Sequence, residues 1–164
     1  MVSIFCIWGC TRVYKDTITL FNRKEGEEGD TWYPSVLHNV QLNMDRAAIM
    51  ARYGAEAADS AQLHIRYKND SGNIMVGDKP WMPPKEWERL LDNSGALTFT
   101  PGDRFDFFWL GDWGNEDPVY DSDYFGTASS GFYAHMNKNY DFVFAISSVG
   151  GPYSVIPHFE ILGK

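Results

Sequence analysis

The chain has 164 residues, of which 44% are apolar, 16% aromatic and 22% charged, and its formal net charge is −8. This length predicts one domain, with room for an appended arm. The negative balance argues against nucleic acid as the main partner, because phosphate recognition needs clusters of Lys and Arg, although an acidic surface along which DNA slides would have this composition. Every apolar run is much shorter than the roughly 20 residues of a membrane-spanning helix, so we expect no membrane partner.

The first ten residues contain both cysteines, Cys6 and Cys10. A pair spaced C-x3-C without matching His or Cys residues elsewhere is a weak metal signal, so we expect two small apolar side chains and no metal or other cofactor, while two cysteines alone do not decide whether a disulfide joins them. The same segment lacks the positive start and the long apolar run of a signal peptide. We therefore predict an N-terminal arm at residues 1–14, followed by a single domain at 15–164.

Four segments in the first half of the chain alternate apolar and polar residues, which predicts strands with one buried face. The segments are 17–22, 31–37, 40–44 and 60–67. Pro34 removes one backbone donor, which places the second segment at a sheet edge or at a bulge. His38 and Asn39 then predict a tight turn.

Residues 46–59 are ambiguous between helix and strand. Their alanines favour a helix, but Gly54 interrupts them. Residues 49–53 would also suit a strand that ends in a glycine turn. Intrinsic propensity leaves the two alternatives about equally favoured.

A short helix is predicted at 84–95, where Pro84 suits the first helical position and Gly95 a stop. Three apolar side chains at helical spacing would then face inward: Trp87, Leu90 and Leu91. Two more strands are predicted next, at 96–100 and 104–110.

An acidic, aromatic loop follows from residue 111, and a second short helix is predicted within 129–139. The acids of this loop offer oxygen ligands, but their spacing differs from that of a calcium-binding loop.

The C-terminal segment 139–164 has the clearest strand pattern. Phe142, Phe144 and Ile146 alternate with smaller residues, which predicts a half-buried strand. The Gly-Gly-Pro sequence at 150–152 predicts a turn, and the apolar residues from Val155 onward predict a returning strand. The rest of the chain must cover this apolar hairpin, because two isolated strands are only marginally stable in water.

These elements predict a mainly β protein, a small antiparallel β-barrel or sandwich with long loops and one or two short helices. The sequence contains no nucleophile elbow, phosphate-binding loop, zinc-protease motif or dinucleotide-binding fingerprint. Its four histidines stand far apart, and none has a neighbouring Ser or Cys nucleophile. We therefore do not expect an enzyme.

Four places in the chain share a pattern with one family. They are KDTITLFNR (15–23), WYPSVLHNV (32–40), LTFTPGD (97–103), and YDFVFAISSV (140–149) with PHFEILGK (157–164). On these segments the chain resembles a family of uncharacterised structural proteins of tailed phages and prophages, encoded in the head–tail gene block. Members of that family resemble minor capsid and head-closure (stopper) proteins.

The resemblance implies a small β-barrel that forms a ring between the portal–adaptor complex and the tail and helps to retain packaged DNA. The implied partners are copies of the same chain, portal or adaptor proteins and tail proteins, while DNA passes nearby without sequence-specific binding. The implied location is the virion, assembled in the cytoplasm of a bacterial host. The resemblance also implies that residues 49–53 form a strand.

The chain departs from the family pattern in its first fourteen residues and in an acidic, aromatic insertion at about 111–133, and partner contacts usually lie in such additions. The candidate interface or channel residues of the insertion are Trp113, Glu116, Asp117, Tyr120, Asp121, Asp123, Tyr124 and Phe125. The candidate interface residues of the arm are Ile4, Phe5, Ile7 and Trp8. The alternative for the insertion is that it packs on its own barrel.

Two other functions remain open from the sequence. One is a different virion part, such as a tail completion or terminator protein or a capsid decoration protein. The other is a carbohydrate-binding β-sandwich, in which exposed tryptophans beside acids would stack on sugars. Its candidate residues are Trp32, Trp81, Trp109 and Trp113.

Overall fold

A computed structural model describes residues 14–54, 59–126 and 129–164. Within these residues the strands are β1 (Asp16–Lys24), β2 (Thr31–Asn43), β3 (Ala61–Arg66), β4 (Lys68–Asp70), β5 (Asn73–Val76), β6 (Lys79–Pro80), β7 (Phe107–Leu110), β8 (Val119–Tyr120), β9 (Phe125–Gly126), β10 (Ser129–Ser130), β11 (Val143–Tyr153) and β12 (His158–Gly163). The α-helices are α1 (Arg46–Tyr53), α2 (Pro84–Glu88) and α3 (Phe132–Asn139). Short 3-10 turns lie at Asn93–Gly95, Gly102–Arg104 and Asp121–Tyr124.

Six of these strands close into an antiparallel barrel, which confirms the predicted fold class. The order around the barrel is β1, β7, β11, β12, β3 and β2, and β2 returns to pair with β1. Strand β8 adds to β2, where Trp32 pairs with Val119. Each barrel strand therefore has a hydrogen-bonded neighbour on both sides along at least part of its length, which leaves only short free edges through which sheets could associate, such as that of β2 between its pairings with β8 and β3.

The barrel interior is filled by apolar side chains from all six strands. Its buried residues include Ile18, Leu20, Leu37, Leu63, Ile65, Phe108, Phe144, Ile146, Phe159 and Ile161. The ring of Phe159 lies 4.9 Å from that of Phe99 and 5.1 Å from that of Trp81. Each large side chain buried in this way stabilises the fold by roughly 1.5–3 kcal/mol.

A second, aromatic cluster lies on the outer face of β1 and β7. Successive side chains of a strand point to opposite faces, so Phe108 points into the barrel while Phe107 points outward and stacks on Phe21 with 4.7 Å between ring centroids. Helix α3 covers this outer face with the buried side chains of Phe132 and Met136. This helix confirms the one predicted within 129–139.

Strand β2 is longer than predicted and runs unbroken to Asn43, so the predicted turn at His38 and Asn39 is wrong. Asn39 adopts a left-handed φ of 56° beside a shift in the β1–β2 register, which is a bulge rather than a turn. Asn favours both structures, so its presence does not separate them. Pro34 pairs with Phe21 of β1 and lies outside the short segments where β2 pairs with β3 and β8, as expected for a sheet edge.

Residues 46–53 form helix α1, so the strand implied for residues 49–53 is wrong. A carboxylate oxygen of Asp45 accepts hydrogen bonds from the backbone N–H groups of Ala47 (3.0 Å) and Ala48 (3.2 Å). Gly54, at φ 104°, ends the helix. Intrinsic propensity alone did not separate helix from strand in this segment. The Asp45 cap and the Gly54 stop favour the helix.

Helix α2 is shorter than predicted and ends at Glu88. Trp87 is buried as predicted, and its indole N–H donates to the carbonyl of Ala96 at 3.1 Å. Leu91 is fully exposed, so its predicted inward position is wrong. It follows the end of the helix, where helical spacing from Trp87 no longer applies.

The C-terminal hairpin turns later than predicted. Strand β11 continues through residues 150–152 to Tyr153, so the predicted Gly-Gly-Pro turn is wrong. The register with β12 shifts between Gly150 and Tyr153, and glycine commonly marks such a bulge. Val155 and Ile156, which were predicted to lie in the returning strand, are instead exposed at the turn. We call Tyr153, Val155 and Ile156 the hairpin tip.

Candidate interaction surfaces

The first part of the insertion packs on the outer face of the barrel. Trp113 is half-buried, and its ring meets those of Phe21 and Phe132 edge-on, each at 5.5 Å. The backbone N–H of Trp113 donates to the hydroxyl of buried Thr19 at 3.1 Å, and that hydroxyl donates to the carbonyl of Gly111 at 2.8 Å. Trp113 therefore anchors the insertion to strand β1.

Glu116 closes the free edge of β2. One of its carboxylate oxygens accepts from the backbone N–H of Val36 at 3.1 Å, and the other lies 3.0 Å from the ammonium of Lys79. Lys79 is buried and also donates to the hydroxyl of Ser35 at 2.9 Å. Glu116 thus satisfies an edge donor and neutralises a buried cation.

Asp121 joins three parts of the fold. Its Oδ1 accepts from the indole N–H of Trp32 at 2.7 Å and from the backbone N–H of Phe132, at the start of α3, at 2.9 Å. Its Oδ2 accepts from the backbone N–H of Asp30 at 3.3 Å. Gly131 occupies the N-cap position and has no side chain, so Asp121 supplies the helix cap from ten residues earlier.

The predicted insertion residues therefore divide into two groups. Trp113, Glu116, Asp121 and Tyr124 hold the insertion against the barrel; the ring of Tyr124 lies 5.0 Å from that of Phe132. Asp117, Tyr120, Asp123 and Phe125 remain exposed. The four arm residues Ile4, Phe5, Ile7 and Trp8, together with Cys6 and Cys10, lie outside the described residues.

The hairpin tip is an exposed apolar surface that was not predicted from the sequence. Val155 is 96% exposed, Ile156 67% and Tyr153 44%. Tyr67 supports the base of the tip, because its hydroxyl donates to the carbonyl of Tyr153 at 2.7 Å and its backbone N–H donates to the carbonyl of Pro157 at 3.3 Å. The available signal was charge: residues 142–157 contain no charged side chain.

A second group of partly exposed aromatic residues lies at the opposite end of β11, where Trp109 pairs with Val143 and Phe142 precedes the strand, and we call Trp109, Trp113, Tyr140 and Phe142 the rim patch. The ring of Tyr140 lies 5.5 Å from that of Trp109 and 6.3 Å from that of Trp113. Phe142 is 52% exposed and adopts a left-handed φ of 62°. That conformation is rare for a bulky residue, and such outliers concentrate at functional positions.

A polar network attaches helix α1 to the barrel wall. The carboxylate of Glu160, on β12, accepts from the Tyr53 hydroxyl at 2.6 Å, from the Gln62 amide at 2.7 Å and from Arg52 at 2.7 Å, and it lies 3.4 Å from a ring nitrogen of His64. Burial would raise the pKa of Glu160, but these partners hold it below its ordinary value. Burial and the bond to Glu160 raise the pKa of Tyr53 to about 12.

Asp106 is a fully buried carboxylate between β1 and the loop that precedes β7. It accepts from the backbone N–H of Arg23 at 2.8 Å, the side-chain amide of Asn22 at 2.9 Å and the backbone N–H of Thr100 at 2.8 Å. Burial raises the pKa of Asp106 to about 7, although these hydrogen bonds act in the opposite direction. Its partners are structural groups of the fold.

The four tryptophans expected for a sugar-binding module do not form one exposed array. Trp32 is only 2% exposed and belongs to the aromatic cluster, and Trp81 packs against core Phe159. Within the described ranges, the His, Cys, Asp and Glu side chains do not form a group of three that could hold a metal ion. None of the helices in the described part of the chain has the length and hydropathy of a membrane span.

Comparison with known proteins gives one family. No curated protein and no solved structure matches the chain. Residues 13–164, nearly the whole chain, match a family of unknown function, DUF6751. The chain therefore belongs to the DUF6751 family.

Proposed function

We propose that this protein is a structural, non-enzymatic component of a tailed-phage virion, located at the head–tail junction as a subunit of a homo-oligomeric ring of the head-closure type. The observation that carries the proposal is a closed β-barrel from which an uncharged hairpin tip projects, with Val155 96% exposed. The resemblance of four chain segments to structural proteins of the head–tail gene block supports the same assignment.

In a closed barrel, contacts with other subunits form mainly through hairpin tips and loops. Because most strand edges of the barrel are paired and Glu116 covers part of the free edge of β2, a neighbouring subunit has little sheet edge to extend. An exposed aliphatic tip loses its contact with water when a partner covers it, which favours association by roughly 25 cal/mol per Å² of apolar surface. Exposed apolar surface of this kind commonly marks a contact with another protein.

The charge of the chain suits a place beside packaged DNA. A net charge of −8 gives a surface that repels phosphate and therefore does not grip the duplex. In a channel, such a surface lets DNA pass without sequence-specific binding. The other proposed partners are the portal or adaptor proteins on the head side and the tail proteins on the other side.

Electron microscopy of lysates tests this proposal, after deletion of the gene from its parent phage. The proposal predicts free tails beside tailless heads that have lost their DNA. Normal virions with normal necks would refute a head–tail role. Heads that retain DNA, beside overlong or aberrant tails, would instead assign the protein to tail completion or termination.

Supplying the gene in trans gives matched controls. Val155→Asp and Leu91→Asp each place one carboxylate at a fully exposed apolar position, one on the hairpin tip and one away from it. The wild-type gene and Leu91→Asp should restore joined particles, while Val155→Asp should not. Restoration by both variants would show that the tip has no role in assembly.

A further inference from the structure

We propose that successive copies of this chain associate head to tail, with the hairpin tip of one copy packed on the rim patch of the next. This inference rests on the proposed function, because it names the contact that would build the ring. It concerns Tyr153, Val155 and Ile156 on one side and Trp109, Trp113, Tyr140 and Phe142 on the other. The two surfaces differ from each other, so the contact is heterologous, and it builds a ring if the rotation between successive copies closes.

The positions of the two surfaces favour contact between copies. Phe142 directly precedes β11, and Tyr153 ends it. Ten residue steps of strand, at about 3.3 Å each, separate the two ends by roughly 30 Å. One molecule therefore cannot cover its own rim patch with its own hairpin tip, whereas a second copy placed end-on can.

The uncharged tip limits the electrostatic cost of bringing two copies together. Two chains that each carry a net charge of −8 repel each other, and this cost is least where the contact is uncharged. The tip lies within residues 142–157, which have no charged side chain. The contact can therefore bury apolar surface without burying an unpaired charge.

The margins of the two surfaces have opposite charges. Beside the tip, exposed Arg66 pairs in register with His158, and Lys68 follows two residues later, while Glu160, which shares a cavity with Tyr153, is neutralised by Arg52. Beside the patch, exposed Asp112 and Asp141 directly precede Trp113 and Phe142, and Lys138 is the cation nearest in sequence. A cationic margin facing two carboxylates gives the orientation that electrostatic complementarity favours.

The side chains of the two surfaces suit an interface core. Aliphatic and aromatic groups pack without directional partners, and aromatic residues are enriched at the centres of protein interfaces. Phe142 combines a left-handed backbone with a half-exposed ring. The patch therefore offers a partly preformed aromatic surface to the aliphatic side chains of Val155 and Ile156.

Sedimentation of the full chain at high concentration tests the contact with three variants. Val155→Asp places a charge in the hairpin tip, and Phe142→Asp places a charge in the rim patch with a residue that tolerates the left-handed backbone. Leu91→Asp, at an exposed position outside both surfaces, is the matched control. The wild-type chain and Leu91→Asp should self-associate. Val155→Asp and Phe142→Asp should each associate roughly 100-fold or more weakly, with unchanged near-ultraviolet circular dichroism.

Mixing the two defective variants gives the sharpest result. Val155→Asp retains an intact patch, and Phe142→Asp retains an intact tip. The tip of the second variant can therefore still pack on the patch of the first, and an equimolar mixture should form heterodimers. Association of Phe142→Asp alone would indicate a tip-to-tip contact and overturn the proposal. A monomeric wild-type chain at millimolar concentration, or a mixture that stays monomeric, would overturn it as well.

Cross-linking identifies the occupant of the patch. A photo-reactive amino acid at position 155, in a mixture of light and nitrogen-15 labelled full-length chains, should link to peptides that contain Trp109 or Phe142 of the other isotope. Tyr14, the first described residue, lies 4.1 Å from the guanidinium of Arg66, beside the tip. Links within one chain to residues 1–13 would show that the arm covers the tip and would overturn the proposal.

The two proposals fail in different ways. If the sedimentation and cross-linking results fail while the deletion phage still yields unjoined heads and tails, the head–tail role stands and its contact lies elsewhere. If head-to-tail association occurs while the deletion phage assembles normally, the contact stands and the head–tail role fails.

Discussion

The ammonium of Lys79 and the Oε2 atom of Glu116 lie 3.0 Å apart, and this pair joins strand β6 to the insertion. Glu116 comes from a segment whose sequence indicated either a partner loop or a piece packed on its own barrel. The pair supports the second alternative for this part of the insertion, because a buried lysine needs a permanent counter-charge. The surface left for partners is correspondingly smaller.

Glu116→Gln should lower the free energy of unfolding by about 1–2 kcal/mol, since the buried ammonium of Lys79 loses its counter-charge while the partly exposed site limits the cost. Urea denaturation at neutral pH measures the effect. Asp117→Asn removes the same charge one residue away at an exposed position and should stay within about 0.5 kcal/mol of wild type. Equal stabilities for the two variants would contradict a stabilising Lys79–Glu116 pair.

Asp121→Ala should lower the free energy of unfolding by about 2–3 kcal/mol, because it removes the cap of α3 and leaves the buried indole N–H of Trp32 without its acceptor. The near-ultraviolet circular dichroism of the native state should also change, since Trp32 belongs to the aromatic cluster. Asp123→Ala, at an exposed neighbouring position, is the control. An unchanged midpoint for Asp121→Ala would mean that α3 does not depend on this carboxylate.

Tyr53→Phe should change the alkaline stability profile. The pKa of Tyr53 rises from an ordinary value of 10.0 to about 12 in the folded state, so the folded protein holds this proton more tightly than the unfolded chain. The corresponding stabilisation is complete below pH 10 and is lost as the pH rises toward 12. Denaturation between pH 9 and 11.5 should show a shallower decline for Tyr53→Phe than for wild type. Identical slopes would contradict the assignment to Tyr53.

Asp106→Asn should show a destabilisation that depends on pH. In the variant, a side-chain amide replaces the carboxylate that accepts three hydrogen bonds in the wild-type protein. Facing these N–H donors with an amide costs about 2–4 kcal/mol. Wild-type Asp106 has a pKa raised from 3.8 to about 7, so its folded state binds more protons in this range and its stability falls as the pH rises from about 4 to 7. The stability difference between wild type and variant should therefore be smaller at pH 8 than at pH 5. A larger difference at pH 8 would show that the three hydrogen bonds outweigh burial.

The strands of the barrel were predictable because one buried face imposes alternation, as in Ile18 and Leu20 of β1. The burial of the outer face of β1 was not predictable, because Phe21 is covered by α3, which lies more than 100 residues later in the chain. The late turn of the hairpin was also missed, since Gly150 and Gly151 serve equally well in a bulge or a turn.

The candidate site was predicted less well than the fold. The insertion was predicted as the candidate site because of its density of acids and aromatics, and half of those residues prove to hold the insertion in place. The role of Asp121 depends on its approach to Trp32 and to the start of α3, which no local pattern shows. The tip was accessible through its lack of charge, but Val155 and Ile156 resemble strand residues until the turn is correctly placed.

The most direct test of the head–tail assignment is to locate the protein in intact particles. Virions assembled with an epitope-tagged copy, labelled with gold-conjugated antibody and viewed by electron microscopy, should carry label at the neck between head and tail. Label over the capsid surface or at the distal end of the tail, or functional virions without the protein, would contradict the account.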